Sequence, residues 1–453
     1  MDAVVGCPEL SVPKDHLVRA VIEMVDQIDV SAIEAKYSSL GRHGYHPKST
    51  LGVWVYASLI GLHHSTEVAR ALKTDAALRL VARGHTHSGA TLRRFRQGNA
   101  VLFAAAIDRT LQLAFKAGLL DAKDLSVDSV RLRAHASMNA ARTKKRSTER
   151  LEQLAQVDPQ ALPEGARALH AAKVKKHQVA IALCEEKGVA NVVLTSPSAA
   201  LMKFPSGGSA PGHRASVTAC GQKRRFILSV LVDGACNDYG KLEPVIRQAK
   251  AALVLAGFPE DIKLQAAADA GYWSEEDLAF AAREAAWADL LVAEPESPNA
   301  GPGTGQFFDR SRFSIRPDKT ASCPADREMR GPLLAANGRT KWLGVGCPTC
   351  PLRPKCTPGL ERNLTASLSG EAAKEAMRAR MAQPGADERY SRRIATVEPV
   401  FSSLEDSMAF RRVSSRLPQT VTAEILLKVL AHNVSRLIAA RRLRAVFICV
   451  DVF

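Results

Sequence analysis

The sequence contains no apolar run near the roughly twenty residues that a membrane span requires. Its first residues also lack the basic start and apolar centre of a secretory signal peptide. Nor does it have the low hydrophobic content of a disordered chain, since 46% of its 453 residues are hydrophobic. We therefore expect a folded cytoplasmic protein without a membrane partner, and a chain of this length predicts two or three domains.

Histidine is absent between His213 and His432, so a metal site in that stretch would have to use cysteine. Four of the nine cysteines cluster there, whereas the other five are scattered as buried thiols would be. The clustered residues are Cys323, Cys347, Cys350 and Cys356. The cluster predicts a structural zinc site, and a reduced loop or an iron–sulfur cluster are the open alternatives. A catalytic ion is not expected there, because the ions of nucleases prefer oxygen ligands.

Acidic residues are too few to balance the basic ones. The chain has 62 Lys and Arg against 46 Asp and Glu, which gives a net charge of +16. A basic surplus favours a polyanion, because each phosphate that is neutralised releases counterions. Ordinary solubility is the alternative reading, but the basic residues cluster, and we therefore expect a nucleic-acid partner. The clusters include Arg93-Arg94-Phe95-Arg96, Lys144-Lys145-Arg146, Arg392-Arg393, Arg411-Arg412 and Arg441-Arg442-Leu-Arg444.

Apolar residues recur at helical spacing through the first quarter of the chain, which predicts a helical domain over residues 1–120. Within it, a short turn after Thr86 leads into a helix that carries Arg93, Arg94 and Arg96. This pattern is typical of a helix-turn-helix motif that enters a major groove, and also of an ordinary surface helix.

Strands alternate with helices in the remainder, which predicts an α/β fold with a central mixed sheet. We place its first part at residues 121–296 and its last part, with a C-terminal helix, at 371–453. A charged helical excursion over residues 142–190 interrupts the first part; it is expected to be a solvated hairpin, with DNA contact as the alternative. Residues 297–370 are rich in Pro and Gly and form an insertion that contains the four clustered cysteines.

Three acidic residues stand in settings that suit a metal-dependent nuclease. Asp128 lies in a β-branched run, and Asp269 ends an apolar run that is followed by a Gly turn. Glu398 precedes Pro399, so we expect it to cap a helix and point outward. Taken alone, each acid is better explained by a structural role, as a strand-end hydrogen-bond partner, a turn former or a helix cap. Two carboxylates on strands and one on a helix can converge on two divalent ions about 3.5 to 4 Å apart, the geometry used for phosphodiester chemistry.

Eight motifs in a fixed order resemble bacterial insertion-sequence DDE transposases. The motifs are Arg42-His-Gly-Tyr-His-Pro47, Thr91-Leu-Arg-Arg-Phe-Arg96, Val127-Asp-Ser-Val-Arg-Leu-Arg-Ala-His-Ala136, Leu201-Met-Lys203, Ala268-Asp-Ala-Gly-Tyr272, Cys347-Pro-Thr-Cys-Pro-Leu-Arg-Pro-Lys-Cys356, Tyr390-Ser-Arg-Arg-Ile-Ala-Thr-Val-Glu-Pro-Val-Phe401 and His432-Asn433. The resemblance covers nearly the whole chain. It is similar to the subgroup with an InsH-like helical N-terminal domain before an RNase H-like core that is split by an insertion.

The resemblance implies an enzyme that cuts DNA at the terminal inverted repeats of an insertion sequence and transfers the strands to target DNA. Asp128, Asp269 and Glu398 would be the triad that holds two Mg²⁺ or Mn²⁺ ions. The enzyme would act as a homodimer on double-stranded DNA, and it would be associated with the nucleoid. A DNA-binding protein without catalysis and a housekeeping RNase H-like nuclease are the rival functions; the nuclease would not need the helical front domain.

Around the third acid, Tyr390 and Arg393 resemble the family's Tyr–Arg–Glu signature, in which the arginine contacts phosphate. The family's usual basic residue seven positions after the glutamate is here Glu405, beside Asp406. A carboxylate there repels a DNA end. Either Arg411 or Arg412 substitutes for the missing cation, or this copy is catalytically decayed and only binds DNA.

Overall fold

The structure is a computed structural model that describes most of the chain. The described residues are 8–35, 44–205, 207–295, 307–308, 310–316, 318–335, 339–366 and 368–450. Arg42 and His43 of the first motif lie outside them, as do the side chains of Arg442 and Arg444. The chain divides into two units. The first holds residues 1–237, 244–262 and 394–453, and the second holds residues 238–243 and 263–393.

A helical region begins the first unit, as the apolar spacing predicts. Side chains cap some of its helix starts: Asp75 accepts a hydrogen bond from the Leu78 N–H, and Ser88 accepts one from the Thr91 N–H. The helices are α1 (Pro8–Ser11), α2 (Leu17–Asp26), α3 (Ser31–Glu34), α4 (Pro47–Leu59), α5 (Ser65–Ala71), α6 (Ala76–Val81), α7 (Gly89–Gly98) and α8 (Ala100–Lys116).

Helix α4 lies at the centre of this region and buries nearly all of its residues. A Cβ atom at Gly52 would lie 2.5 Å from Cγ2 of Val81 on α6, so only glycine permits the two helices to approach this closely. Trp54 is buried on the same helix and donates a hydrogen bond from Nε1 to the Leu92 carbonyl on α7. This packing fixes α7, the helix that carries the arginine cluster.

The strands of the first unit pair antiparallel around one long central strand, β5. β1 pairs with β5 along its whole length, while β4 and then β6 pair along its other edge. A separate ladder joins β2 to β3. The strands are β1 (Leu125–Arg133), β2 (Ala141–Thr143), β3 (Asn191–Val193), β4 (Ala200–Lys203), β5 (Ser209–Cys220) and β6 (Phe226–Asp233).

Two helices, α9 (Lys144–Ala155) and α10 (Glu164–Glu186), pack together and form the predicted charged excursion. The turn between them begins at Asp158, as Asp-Pro chemistry favours. The longest helix of the unit is α15 (Pro418–Val450), which packs against α8, α4 and α7 of the helical region and against β6. Helix α11 (Leu242–Ala256) and helix α14 (Ala386–Ser402) each contribute their C-terminal part to this unit.

The second unit contains a parallel pair, β7 (Leu264–Ala268) and β8 (Ala288–Val292), connected through α12 (Glu275–Arg283). Ser274 caps α12 by accepting a hydrogen bond from the Asp277 N–H. α13 (Leu368–Met381) packs against α12 and β8.

Small strands fill the rest of the second unit around a core of their own. Trp342 is fully buried there, and its indole N–H donates to the Lys319 carbonyl. Phe313, Met329 and Leu364 pack in the same core. The strands are β9 (Ser314–Ile315), β10 (Ala321–Ser322), β11 (Arg330–Leu334), β12 (Thr340–Leu343) and β13 (Asn363–Ala366).

The predicted α/β class is confirmed, with a helical N-terminal region and strands that pair both antiparallel and parallel. Among the helices of the described residues, none is both long enough and apolar enough to cross a membrane.

Candidate functional site

Asp128 lies in the middle of β1, opposite Val217 of β5. Its side chain is partly exposed, and Oδ1 accepts a hydrogen bond of 2.7 Å from the Ser129 N–H. The Ser129 hydroxyl in turn accepts a hydrogen bond of 2.7 Å from the buried guanidinium of Arg214. Arg214 also donates to the Cys236 carbonyl, so this cation is held in place next to the strand position of the acid. The strand therefore fixes the backbone of Asp128 through its pairing with β5, and the carboxylate stays partly exposed.

Asp269 directly follows β7 and starts a short 3-10 turn, Ala270–Tyr272. Its side chain is 44% exposed, and Oδ1 lies 3.6 Å from Nη2 of Arg393. The Arg393 guanidinium is 5.8 Å from the centre of the Tyr390 ring, and it is mostly buried. The second unit therefore gathers three of the residues that the sequence singles out, Asp269, Tyr390 and Arg393.

The prediction that Glu398 caps a helix is wrong, because Glu398 lies inside α14. Pro399 is tolerated there although it cannot donate to the carbonyl four residues earlier, that of Ala395. The Arg225 Nε group donates a hydrogen bond of 3.0 Å to that Ala395 carbonyl and takes the place of the missing backbone donor. Glu398 is exposed, whereas Val397 and Val400 on the same helix are fully buried. The helix therefore points this carboxylate to solvent.

Glu405 lies on a π-helical turn, Ser403–Ser407, that follows α14. Burial raises the pKa of Glu405, while nearby Arg411 lowers it and Asp406 raises it further. Arg411 forms an ion pair with Asp406, and this ion pair lowers the pKa of Asp406. The cation thus compensates the negative charge that the sequence places beside Glu405.

The segment that carries Arg411 and Arg412 runs along the end of β1. The Arg133 N–H donates to the Arg411 carbonyl at 3.0 Å, and the Val413 N–H donates to the Arg133 carbonyl at 2.9 Å. Both Arg411 and Arg412 are exposed. Within the first unit, Asp128 therefore lies on β1, and the two arginines lie on the segment that is hydrogen-bonded to the end of β1.

The arginines of α7 differ in their environments. Arg93 and Arg94 are exposed. Arg96 is buried, and its guanidinium donates to the His63 carbonyl at 2.7 Å and to the Ser414 hydroxyl at 2.6 Å. Burial lowers the pKa of Arg96, and Glu424 opposes that shift from 3.8 Å away. Arg96 therefore has a structural role in this unit, and Arg93 and Arg94 remain the candidates for DNA contact on this helix.

A buried polar stripe runs along α15, and sequence reasoning did not find most of it. Glu424, Lys428 and His432 recur every four residues in an otherwise apolar helix, which is the signal that could have revealed it. Glu424 accepts hydrogen bonds from the N–H groups of Ser414 and Ser415. Burial lowers the pKa of His432 to about 4.

His432 and its neighbour Asn433 connect α15 to β6 and to the π-helical turn. His432 Nε2 lies 2.8 Å from the Arg225 carbonyl, and its Nδ1 lies 3.1 Å from the Ser403 hydroxyl. The Asn433 amide accepts from the Ile227 N–H and donates to the Ile227 carbonyl, each at 2.9 Å. These contacts hold the backbone at and next to Arg225. The guanidinium of Arg225 donates to the Ala395 carbonyl of α14, the helix that carries Glu398.

The four clustered cysteines line one cavity of about 20 Å³ in the second unit, which has room for about one water-sized occupant. Burial raises the pKa of the Cys356 thiol, Arg362 lowers it, and the three other cysteines raise it further. Among the described residues, however, no three His, Cys, Asp or Glu side chains are gathered so that they could hold a metal ion. The thiols are Cys323, Cys347, Cys350 and Cys356, and all four are free and partly exposed.

Two protein-family models match the sequence. One, described as a transposase DDE domain, matches residues 322–438, and the other, described as a transposase domain (DUF772), matches residues 7–98. The chain is also similar to a solved cryo-EM structure of the piggyBac transposase synaptic complex with hairpin DNA. That similarity has a TM-score of 0.36 and 10% identity, and it covers 95% of this chain and 74% of the other. No curated protein sequence matches the chain.

Proposed function

We propose, from the premise that this chain belongs to the DDE transposases, that it cuts DNA at the ends of an insertion sequence and transfers the strands to target DNA. The two matched regions support this, because one covers α1 to α7 of the helical region and the other includes Tyr390, Arg393 and Glu398. The observation that carries the proposal is the contact of Asp269 with Arg393, 3.6 Å apart in the second unit. It joins a carboxylate suited to a metal ion to a cation suited to phosphate.

The catalytic residues in this proposal are Asp128, Asp269 and Glu398. Their donor chemistry fits Mg²⁺ or Mn²⁺, since all three are carboxylates, and each is at least partly exposed. A bound divalent ion would activate the attacking oxygen and stabilise the leaving oxygen of a phosphodiester. The chain's own contribution is positioning. β1 fixes the backbone of the first acid, the turn after β7 fixes the second, and α14 directs the third to solvent.

Arg393 and Tyr390 are proposed to hold the phosphate next to the scissile bond. A guanidinium can donate two parallel hydrogen bonds to a phosphate, and Arg393 is held against the Tyr390 ring instead of extending freely into solvent. Arg411, or Arg412 beside it, is proposed to supply the charge that Glu405 does not. The ion pair of Arg411 with Asp406 supports this, because it neutralises one of the two adjacent carboxylates that would repel DNA.

The finer architecture follows from the same premise. We propose that the strands and their flanking helices form an RNase H-like core, and that the helical N-terminal region is an InsH-like domain that binds the terminal inverted repeats through Arg93 and Arg94. Pairing two DNA ends calls for a homodimer on the DNA. The surplus of basic residues supports a double-stranded DNA partner.

We also propose that the cluster of four cysteines holds a structural zinc ion within the insertion. Four thiols suffice as a donor set, and their common cavity supports the assignment. Binding would draw the sulfurs inward, because the described residues show no three donors already gathered around a metal position. A Cβ atom at Gly344 would lie 2.5 Å from the Cys347 sulfur, so the glycine leaves this thiol the space that it occupies.

Cleavage of labelled DNA that carries both ends of the element tests the function. We expect nicked or cut ends and joined products when Mg²⁺ or Mn²⁺ is present, and neither when EDTA is present. Binding to the ends without cutting in either metal would favour the alternative of a catalytically decayed copy. Cutting of DNA without preference for the ends would favour a general nuclease.

A further inference from the structure

A basic pocket opens in the charged excursion of the first unit, and none of the proposed catalytic residues lines it. Its volume is about 430 Å³. The β2–β3 ladder forms one wall, and helices α9 and α10 form the others. Its charged and titratable lining residues are Arg142, Arg146, Arg150 and His177.

Two of the pocket's arginines, Arg146 and Arg150, lie four residues apart at the start of α9, which directs their side chains to one face of that helix, and Arg142 lies on β2 just before it. Like charges at this spacing destabilise a helix by a few tenths of a kcal/mol per pair. The helix therefore carries an arrangement that works against its own stability. A ligand of opposite charge would remove that repulsion.

The lining of the pocket that the structure describes contains no counter-charge. No Asp or Glu of the described residues is among those that line it. Arg142 donates to the backbone carbonyls of Asn139 and Ala141, and Arg150 donates to the neutral side chain of Gln153. The Arg146 guanidinium forms no hydrogen bond or ion pair with any residue that the structure describes, and it is exposed. Two of the three guanidinium groups thus have hydrogen bonds but no compensating anion, and the third has neither.

His177 does not add to the positive charge of the pocket, and the nearby cations lower its pKa. Its Nδ1 lies 3.2 Å from the Ser147 hydroxyl. Burial lowers the pKa of His177 below 6.5, and Arg142, Lys176 and Arg150 lower it further. The imidazole is therefore neutral at pH 7, and together with Ser147 and Asn191 it offers neutral hydrogen-bonding groups around the cationic ones.

We propose that this pocket binds the phosphate backbone of the DNA on which the protein acts, through Arg142, Arg146 and Arg150. The inference rests on the proposed function, and it adds a second DNA contact outside the helical region and the catalytic residues. Guanidinium groups fit phosphate better than ammonium groups do, because their planar fork donates two hydrogen bonds at once. Contacts of this kind are independent of sequence, so they hold the DNA without reading its bases.

The test is DNA binding as a function of salt, measured by fluorescence anisotropy with a labelled duplex that carries one end of the element. The double variant Arg146→Gln/Arg150→Gln is compared with the full-length wild type. The matched control is Lys145→Gln/Lys173→Gln, which removes the same charge from exposed positions of α9 and α10 that do not line the pocket. Far-ultraviolet circular dichroism and thermal unfolding check that all the variants fold.

Each phosphate contact contributes about 0.9 to the slope of log affinity against log salt. We expect the slope of the arginine variant to fall by about 1.8, with binding at 0.1 M salt weakened by up to roughly 60-fold. The control should stay close to the wild type. Arg146→Lys/Arg150→Lys should recover most of the slope, because lysine keeps the charge.

If the wild type binds the duplex but the arginine variant and the control give equal slopes, the proposal that the pocket binds phosphate is refuted, while the proposed function stays intact. A lysine variant with the same low slope as the glutamine variant would also overturn it, because charge would then not be the cause. A wild type without affinity for any duplex would refute the pocket and the proposed function together.

Discussion

Lys428 provides a test of the packing of the first unit that does not depend on catalysis. Its side chain is 2% exposed on α15, and its Nζ has no hydrogen-bond partner among the described residues. Burial lowers the pKa of Lys428 from 10.5 to about 7, with Glu424 opposing the shift and Arg96 adding to it. The unfolded chain therefore binds this proton below about pH 10.5, whereas the folded chain binds it only below about pH 7.

This difference in proton binding has a calculable effect on stability. The free energy of unfolding decreases as the pH falls from 10.5 to 7 and levels off below that, because the folded state resists protonation. The two pKa values correspond to a loss of about 5 kcal/mol below pH 7, and to less than about 1 kcal/mol at pH 10. Methionine has a similar length and needs no hydrogen bond, so Lys428→Met should raise the free energy of unfolding by about 4 kcal/mol at pH 7.

Urea unfolding followed by circular dichroism at pH 7, 8, 9 and 10 measures the effect. The gain from Lys428→Met should shrink steadily toward pH 10, while Lys73→Met, at an exposed position, should show no such trend. An equal gain at every pH would mean that the lysine pKa is not depressed. A variant less stable than the wild type at pH 7 would mean that the ammonium is satisfied in the folded protein, and the reasoning would be refuted.

Three further outcomes are expected. Asn433→Ala removes both hydrogen bonds to the Ile227 backbone and should lower the free energy of unfolding by about 2 to 4 kcal/mol in urea titrations, whereas Ser435→Ala on the same helix should change it much less. The free energy of unfolding should fall as the pH is lowered from 6.5 to 4, because the unfolded chain protonates four histidines that burial keeps neutral in the folded chain. These are His63, His87, His213 and His432, each with a pKa of about 4. Urea unfolding midpoints that do not change over this pH range would contradict this expectation. The purified protein should contain one zinc ion per chain when its metals are measured by mass spectrometry. The Cys347→Ser variant should lose this ion, whereas Cys236→Ser, which changes an exposed cysteine outside the cluster, should retain it. A metal-free wild type or a brown, iron-containing protein would rule zinc out.

Local patterns predict most of the elements that carry the proposed site. The β-branched run around Asp128 forms a strand, and the apolar run before Asp269 forms β7 and ends in the expected turn. Both features depend on neighbouring residues in the sequence, so propensity and turn chemistry are sufficient to find them.

The errors arise where a distant residue decides the outcome. Pro399 predicts a helix start at Glu398, but the Arg225 side chain, far away in the sequence, satisfies the carbonyl that proline leaves without a donor, and α14 continues. Arg96 has the surroundings of a surface cation, yet Glu424 and Ser414 enclose it because α15 packs on the N-terminal helices. No local pattern contains that information, since both partners come from the last part of the chain.

The central claim is that Asp128 and Asp269 carry out metal-dependent cutting of DNA. The most direct measurement is cleavage and strand transfer on labelled DNA with the element's own ends in Mg²⁺, comparing the wild type with Asp128→Asn and Asp269→Asn. Asp261→Asn, an exposed aspartate before β7, is the matched control. We expect the wild type and the control to cut and join the ends, and both asparagine variants to bind the ends but lose at least about a hundredfold in rate, since each removes a proposed metal-binding charge. Cutting by either variant at the wild-type rate would contradict the assignment.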